Sequence, residues 1–328
     1  MIMGVSRRYG DVALGVNVTD TFHHTQEKSH HGAFVQLSNA SPSAFLEKAV
    51  PKIYDQVKIH DTESSGQLLK TWQASFFTGS KEDDKCNEQY LEIGCGPGNL
   101  TRDYLLPLCP LSMRRLVAVD NSYPMIDYAR REHGHSKIEH RMLDIAIDGE
   151  VSQFIEAEGQ FDRVYSFLTF HWIHDKGAAL RNVERLLTPG GECLIVFNPH
   201  PGPLQLSKAM INSDRWKEYS DVLKKVGPEF PDTHDPACLR NYLIDIVRST
   251  RLVPLTCELV RVEAPSATME EVARLVLPMN PVYSLLTEQG KAELEDFLKQ
   301  LIKQGRYSNY SSTGARRNLR FVFHGYKP

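Results

Sequence analysis

A short apolar run, Tyr90-Leu91-Glu92-Ile93, passes without a spacer into Gly94-Cys95-Gly96-Pro97-Gly98-Asn99. Glycines at three alternate positions directly after a strand narrow what this chain can build more than any other stretch. A turn that tight needs residues without Cβ, both to reach unusual φ values and to let a ligand lie on bare main chain. The dinucleotide fingerprint wants glycines at the first, third and sixth positions, and the sixth here is Asn99, which disfavours NAD or FAD. No Gly-Lys-Ser/Thr ending follows, so the phosphate-cradling loop of nucleoside triphosphatases is also absent.

Downstream, strand and helix patterns alternate. Apolar β-type runs at residues 115–120, 138–142, 161–167 and 192–197 are separated by helical periodicity at 99–106, 125–132, 151–157 and 178–187. Strands interleaved with helices at this spacing predict βαβ units, hence a doubly wound, mostly parallel α/β sheet with right-handed crossovers. Two later β-rich runs, 252–262 and 319–326, extend that sheet to seven strands. Between them, amphipathic helices at 269–277 and 291–303 read as an insertion lying over the sheet edge, with 305–317 as its return loop. Upstream, helical spacing is expected over 43–54, with Pro51 a possible kink, and over 65–77. The organisation expected is an N-terminal tail (1–42) and one domain (43–328), made of N-terminal helices (43–89), a ligand-binding core (90–200) and the remaining sheet with a helical lid (201–328).

The whole-chain composition sets outer bounds. With 328 residues, 41% hydrophobic and 24% charged, the chain can bury a full core, and disorder throughout is excluded. A formal charge of −3 gives no basic footprint, so no nucleic-acid partner is expected. Six scattered cysteines include no CxxC pair and no zinc-ligand spacing, so no metal site is expected. No apolar run approaches the length of a membrane helix, so no integral membrane contact is expected; no secretory h-region follows Met1, and cytoplasmic residence is the expectation. The histidine doublets His23-His24 and His30-His31 read as a solvated tail.

Asp120 closes the second strand, where a carboxylate can accept both hydroxyls of a ribose; the same residue could instead cap the following helix. Asp144 follows the third strand. Acidic or glycine-rich features at the carboxyl ends of three successive strands describe a ligand crevice at a topological switch point.

The Glu92-x-Gly94-x-Gly96-x-Gly98 arrangement, with Phe161-Asp162-Arg163-Val164 and Leu186-Leu187-Thr188-Pro189-Gly190-Gly191-Glu192, resembles class I S-adenosylmethionine-dependent methyltransferases over residues 88–200. The resemblance implies a Rossmann-like fold and S-adenosylmethionine as cofactor. It places Glu92, Gly94, Cys95, Gly96 and Gly98 around the cofactor, together with Asp120, Asn121 and Met125. Asp144 would hold the adenine amino group, Ile145 would stack on the ring, and Phe167 would complete the site.

Further residues, Ser166-Phe167 through His171-Trp172, Leu187-Thr188-Pro189, Val196-Phe197 and Met279-Asn280-Pro281, resemble the arthropod juvenile hormone acid methyltransferases. That resemblance implies a small hydrophobic carboxylic acid as acceptor, of the sesquiterpenoid type, converted to its methyl ester. It also implies that Trp172 and a glutamine hold the acceptor carboxylate. Gln67 is the candidate, with Gln56 and Gln73 open, because residues 61–66 lengthen the spacing from Tyr54. Val276, Leu277, Met279 and Tyr283 are expected to enclose the hydrocarbon tail. A carboxylate needs no base, whereas a phenol or alcohol acceptor would, and His171 is then the candidate.

Overall fold

The computed structural model describes residues 50–57, 59–76, 87–262, 267–307 and 318–328. The tail at 1–42, the start of the first expected helix and residues 308–317 of the expected return loop lie outside the described residues.

Seven strands form one sheet in the order β3-β2-β1-β4-β5-β7-β6. They are β1 (Gln89–Ile93), β2 (Arg115–Asp120), β3 (Ile138–Met142), β4 (Phe161–Phe167), β5 (Leu187–Phe197), β6 (Val253–Val262) and β7 (Asn318–Tyr326). The first five run parallel, and β7 pairs antiparallel with both β5 and β6. The strand order reverses beside β1, which pairs β2 on one side and β4 on the other; the loops after β1 and β4 therefore diverge and leave a crevice.

Side-chain alternation explains why these runs are strands. Leu91, Ile93, Val117, Val119, Val164 and Ile195 belong to the core on one face, whereas Tyr90, Leu116, Ala118, Tyr165, Leu194 and Val196 belong to the core on the other. A sheet covered on both faces needs apolar residues at odd and even positions alike, as these runs provide. At roughly 25 cal/mol per Å2, each fully buried Leu, Ile or Val contributes about 1.5–3 kcal/mol.

The helices are α1 (Val50–Val57), α2 (Ile59–Gln73), α3 (Tyr123–Glu132), α4 (Asp148–Glu158), α5 (Lys176–Leu186), α6 (Gly202–Ile211), α7 (Ser220–Val226), α8 (Pro236–Arg248), α9 (Met269–Val276) and α10 (Glu288–Lys303). Pro51 is the second described residue of α1, and the residues before Val50 at which a kink was expected lie outside the described residues.

Three sequence expectations need correction. The helix expected at 99–106 is a π-helical turn, Thr101–Leu105, in which Leu106 N–H reaches back to Thr101 O, continued by a 3-10 turn at Leu106–Leu108 that contains Pro107. Pro189-Gly190-Gly191 is no connection before the fifth strand. It is a bulge inside β5, where the pairing register against β4 shifts and Gly190 takes φ +79°. The lid, finally, is built from both gaps around β6. Leu206 and Met210 of α6 and Leu223 of α7 share one core with Val272 and Val276 of α9 and Leu294, Leu298 and Leu301 of α10.

Candidate active site

The turn after β1 is shaped by its glycines. Gly94 and Cys95 both donate to Val119 O, at 2.7 and 3.0 Å, tying the turn to the end of β2. Gly94 has φ +75°, and a Cβ there would stand 1.9 Å from Thr169 Oγ1. Gly96 has φ +54°, but a Cβ there would meet nothing within 4 Å. Its position is open because it faces a cavity of about 460 Å3 at the switch point.

Asp120 joins this turn to the second strand. Its Oδ2 accepts from Gly96 N–H and its Oδ1 from Ser122 N–H, both at 2.9 Å. Asp120 lines the cavity, and a carboxylate has acceptor capacity beyond these two bonds for a diol. Burial pushes its carboxyl up to about 6, against the pull of the Ser122, Gly96 and Asn121 backbone N–H groups. Glu92, at the end of β1, is 1% exposed, and its Oε2 has no hydrogen-bond partner. Burial, aided by the like charge of Asp120, pushes Glu92 up to about 7, with the Thr101 hydroxyl pulling the other way. The Cys95 thiol is pushed up by burial and by the same two carboxylates, so it remains protonated and inert.

Beyond β2 and β3, Asn121 Nδ2 donates to Asp144 Oδ2 at 3.1 Å, and Asp144 Oδ1 takes the Ala146 N–H. Ile145 is buried beside them, its carbonyl held by Asn182 Nδ2 at 2.9 Å. On the other side of the crevice β4 ends at Phe167, followed by Leu168, the one non-glycine residue with positive φ (+57°) among the described residues. A leucine held left-handed is strained, and such strain concentrates at functional loops. Leu168 N–H donates to Val196 O at 2.7 Å, which holds the bend.

Of the residues named from sequence, Glu92, Gly94, Cys95, Gly96, Asp120, Asn121, Met125, Asp144, Ile145, Phe167 and Trp172 all line this one cavity. Gly98 does not. It serves packing instead, since a Cβ there would lie 2.9 Å from Ala129 Cβ.

Three acceptor-side expectations fail on geometry. Gln67 is exposed and away from the cavity, because a helix turns about 100° per residue and α2 buries Ser65 and Leu69, each about 200° round from it. Gln73 is engaged elsewhere, accepting from the Tyr165 hydroxyl at 3.0 Å; the Gln56 side chain lies outside the described residues. His171 is buried outside the cavity wall, with Asn198 N–H directed at its Nδ1 at 3.5 Å. It shares the 3-10 turn Phe170–Trp172 with Trp172. Three residues per turn send neighbouring side chains about 120° apart, so Trp172 and His171 cannot both face the cavity. His174 occupies the wall instead. Of the expected tail-enclosing residues only Met279 reaches it, while Val276, Leu277 and Tyr283 pack in the lid core.

Further parts of the wall come from Tyr54 near the end of α1, Thr62 and Ser65 of α2, Pro203, Leu204 and Ser207 of α6, and Pro278 and Pro281 after α9, none of which was named as a site residue from sequence. Ser65 is 1% exposed, and its hydroxyl has no hydrogen-bond partner. Among the described residues no Lys or Arg lines the cavity.

Comparison with known proteins bears on the half of the cavity built by β1–β5. Residues 91–195 match the family model described as a methyltransferase domain. These residues are similar to methyltransferase domains. Juvenile hormone acid O-methyltransferase of Bombyx mori is 31% identical over 152 residues, covering 46% of this chain and 53% of that protein. The Drosophila melanogaster protein of the same name is 32% identical over 42% of this chain and 46% of its own length. Malonyl-[acyl-carrier protein] O-methyltransferase of Acetivibrio thermocellus is 34% identical over 33% of this chain and 35% of its own. The chain thus spans about half the length of the two insect relatives and a third of the bacterial one.

Within residues 91–195 the orphaned Glu92 Oε2, the open face at Gly96 and the Asp120 carboxylate fit S-adenosylmethionine. A cationic, diol-bearing ligand would satisfy each of them. Among the described residues no helix is long and apolar enough to cross a membrane, and no cluster of three His, Cys, Asp or Glu could hold a metal.

Proposed function

We propose that the chain is an S-adenosylmethionine-dependent O-methyltransferase acting on the carboxylate of a hydrophobic, sesquiterpenoid-type acid such as a juvenile hormone acid or farnesoic acid. The observation that carries the reading is the composition of the acceptor wall. Beside the methyl-donor crevice, Trp172 offers an indole N–H among Leu168, Ile173, Leu204, Pro278, Met279 and Pro281, with no cationic side chain. Such a wall suits a single carboxylate on a long apolar body. The similarity to juvenile hormone acid O-methyltransferase and malonyl-[acyl-carrier protein] O-methyltransferase supports a carboxylate acceptor.

When bound, S-adenosylmethionine supplies an electrophilic methyl on a sulfonium. Glu92 and Asp120 hold its charged and hydroxylated portions, Asp144 and Ile145 its base. On the acceptor side, the Trp172 N–H donates to one carboxylate oxygen and leaves the other free for in-line attack. The acceptor is ionised at neutral pH, so no side chain has to remove a proton. Opposite charges cancel as the methyl moves, and the apolar lid residues, by excluding water, favour that change.

The test is methyl transfer from labelled S-adenosylmethionine to farnesoic, fatty and aromatic acids, with identification of the ester. Transfer to none of these acids overturns the acceptor assignment. His174 favours one competing reading, a hydroxyl acceptor, because a base in the wall could take its proton. An ionisation between pH 6 and 8 in the pH–rate profile that disappears in His174→Ala would support that reading; a profile over the same range that His174→Ala leaves unchanged supports the carboxylate.

A further inference from the structure

Helix α1 meets α3 through polar contacts of Asp55. Asp55 Oδ2 accepts from the Tyr128 hydroxyl at 3.0 Å and lies 3.1 Å from His133 Nε2, which donates to it in the Nε2–H tautomer. Tyr128 belongs to α3, the helix entered from Asp120, and His133 follows its last turn. His133 also backs the glycine turn, since a Cβ on Gly98 would stand 3.3 Å from its Cβ. The residue beside Asp55, Tyr54, lines the cavity. On its other side α1 packs against α9, which continues directly into the turn Leu277–Met279 that carries Pro278 and Met279 into the wall. These contacts tie α1 to elements on both sides of the cavity.

We propose that Asp55 is a positioning residue that latches α1 across the cavity between its donor and acceptor sides, and that undoing the latch is the step by which ligands exchange. The proposal rests on the reading of this cavity as the methyl-donor site. The Asp55 side chain is 20% exposed and that of His133 9%, so the contact is screened far less than a surface ion pair. A carboxylate receiving two donors is also stronger than a neutral pair. The latch holds Tyr54 against bound ligand, so its removal acts on ligand departure.

The experiment measures S-adenosylhomocysteine dissociation by stopped flow, and amide hydrogen exchange of residues 50–57, in the full chain and in Asp55→Ala, Tyr128→Phe and the double variant. Dissociation is expected to quicken about tenfold in Asp55→Ala and severalfold in Tyr128→Phe, with the double variant no faster than Asp55→Ala, because both changes break one contact. Ligand should slow exchange in residues 50–57 of the unaltered chain and fail to do so in Asp55→Ala. A merely structural tie would lower the melting temperature and leave dissociation alone. Unchanged dissociation in both single variants, with ligand still bound by the unaltered chain, overturns the latch. Absence of binding by the unaltered chain overturns the donor-site reading and the latch together. If Asp55→Ala fails to fold, Tyr128→Phe, which loses a single hydroxyl, decides the question.

Discussion

Gly94 and Gly96 both sit at positive φ, yet the structure assigns different consequences to placing alanine there. At Gly94 the new Cβ would collide with Thr169 Oγ1 at 1.9 Å, with further Thr169 atoms at 2.5 and 2.6 Å, so the β1 turn or the β4 loop must move. At Gly96 the Cβ meets no protein atom within 4 Å. The ligand-free protein then bears only the left-handed backbone cost for an L-residue, about 1–2 kcal/mol, equivalent to roughly 2–6 °C in Tm. The open space at Gly96 is where we place the donor against main chain, and overpacking there adds about 2–3 kcal/mol in the complex. Gly96→Ala should therefore weaken S-adenosylhomocysteine binding roughly 30- to 150-fold, at about 1.4 kcal/mol per decade. Calorimetric titration beside a thermal melt separates the two terms. Binding by Gly96→Ala within twofold of the unaltered chain would refute the placement of the ligand on this turn. A Gly94→Ala protein that melts no lower than Gly96→Ala would refute the geometry assigned to Thr169.

Titration of the buried carboxyls should be visible. Their native pKa values, about 7 for Glu92 and about 6 for Asp120, lie above the unfolded ones, so the stability they contribute is fully present below about pH 4 and is lost as pH rises through 6 and 7. Glu92→Gln should accordingly stabilise the ligand-free protein at pH 8, by up to about 3 kcal/mol at about 1.36 kcal/mol per pKa unit, while weakening donor binding. Urea titrations at pH 5 and 8 check the first part, because the gain should vanish at pH 5. Donor binding to the ionised carboxylates should release protons near pH 6.5, measured by calorimetry in two buffers of different ionisation enthalpy. On the acceptor side, Trp172→Phe should lower methyl transfer about 10- to 100-fold with S-adenosylhomocysteine affinity unchanged, and Gln67→Ala should leave both within twofold, as steady-state kinetics would show.

The donor half of the cavity was legible because each of its parts depends on a local rule. Short apolar runs interleaved with helical periodicity located β1 to β5, the alternate glycines marked a turn that no other residue type could make, and carboxylates at strand ends face a crevice once the strand order reverses. Helix direction within short turns was not legible. The 3-10 geometry of Phe170–Trp172 places Trp172 and not His171 in the cavity wall, and no periodicity over three residues reveals it. Gln67 failed for a related reason. Its helix was recognised, but the apolar pattern of α2 is weak, and only packing of Ser65, Leu68 and Leu69 shows which face turns inward. The strain at Leu168 had no sequence signal at all, since a leucine in that conformation is imposed by the loop around it.

The division between what was legible and what was not coincides with a division within the cavity. Residues 91–195, which match the methyltransferase family model, supply Glu92, Gly96, Asp120, Asp144, Ile145 and Trp172. Tyr54, Thr62, Ser65, Leu204, Ser207, Met279 and Pro281 lie outside that span, on helices from both flanks of the core. A donor common to many enzymes can be held by a sheet-end geometry that any sequence of the right pattern reproduces. An acceptor is distinguished by the shape of an apolar enclosure, and here that enclosure is made by helices whose own core, around Val276, Leu294 and Leu298, constrains them independently of the sheet. On the proposed reading, substitutions at Leu204 or Met279 should change which acceptor is taken without disturbing the donor, and α1, which touches both α3 and α9, is the element expected to couple the two sides.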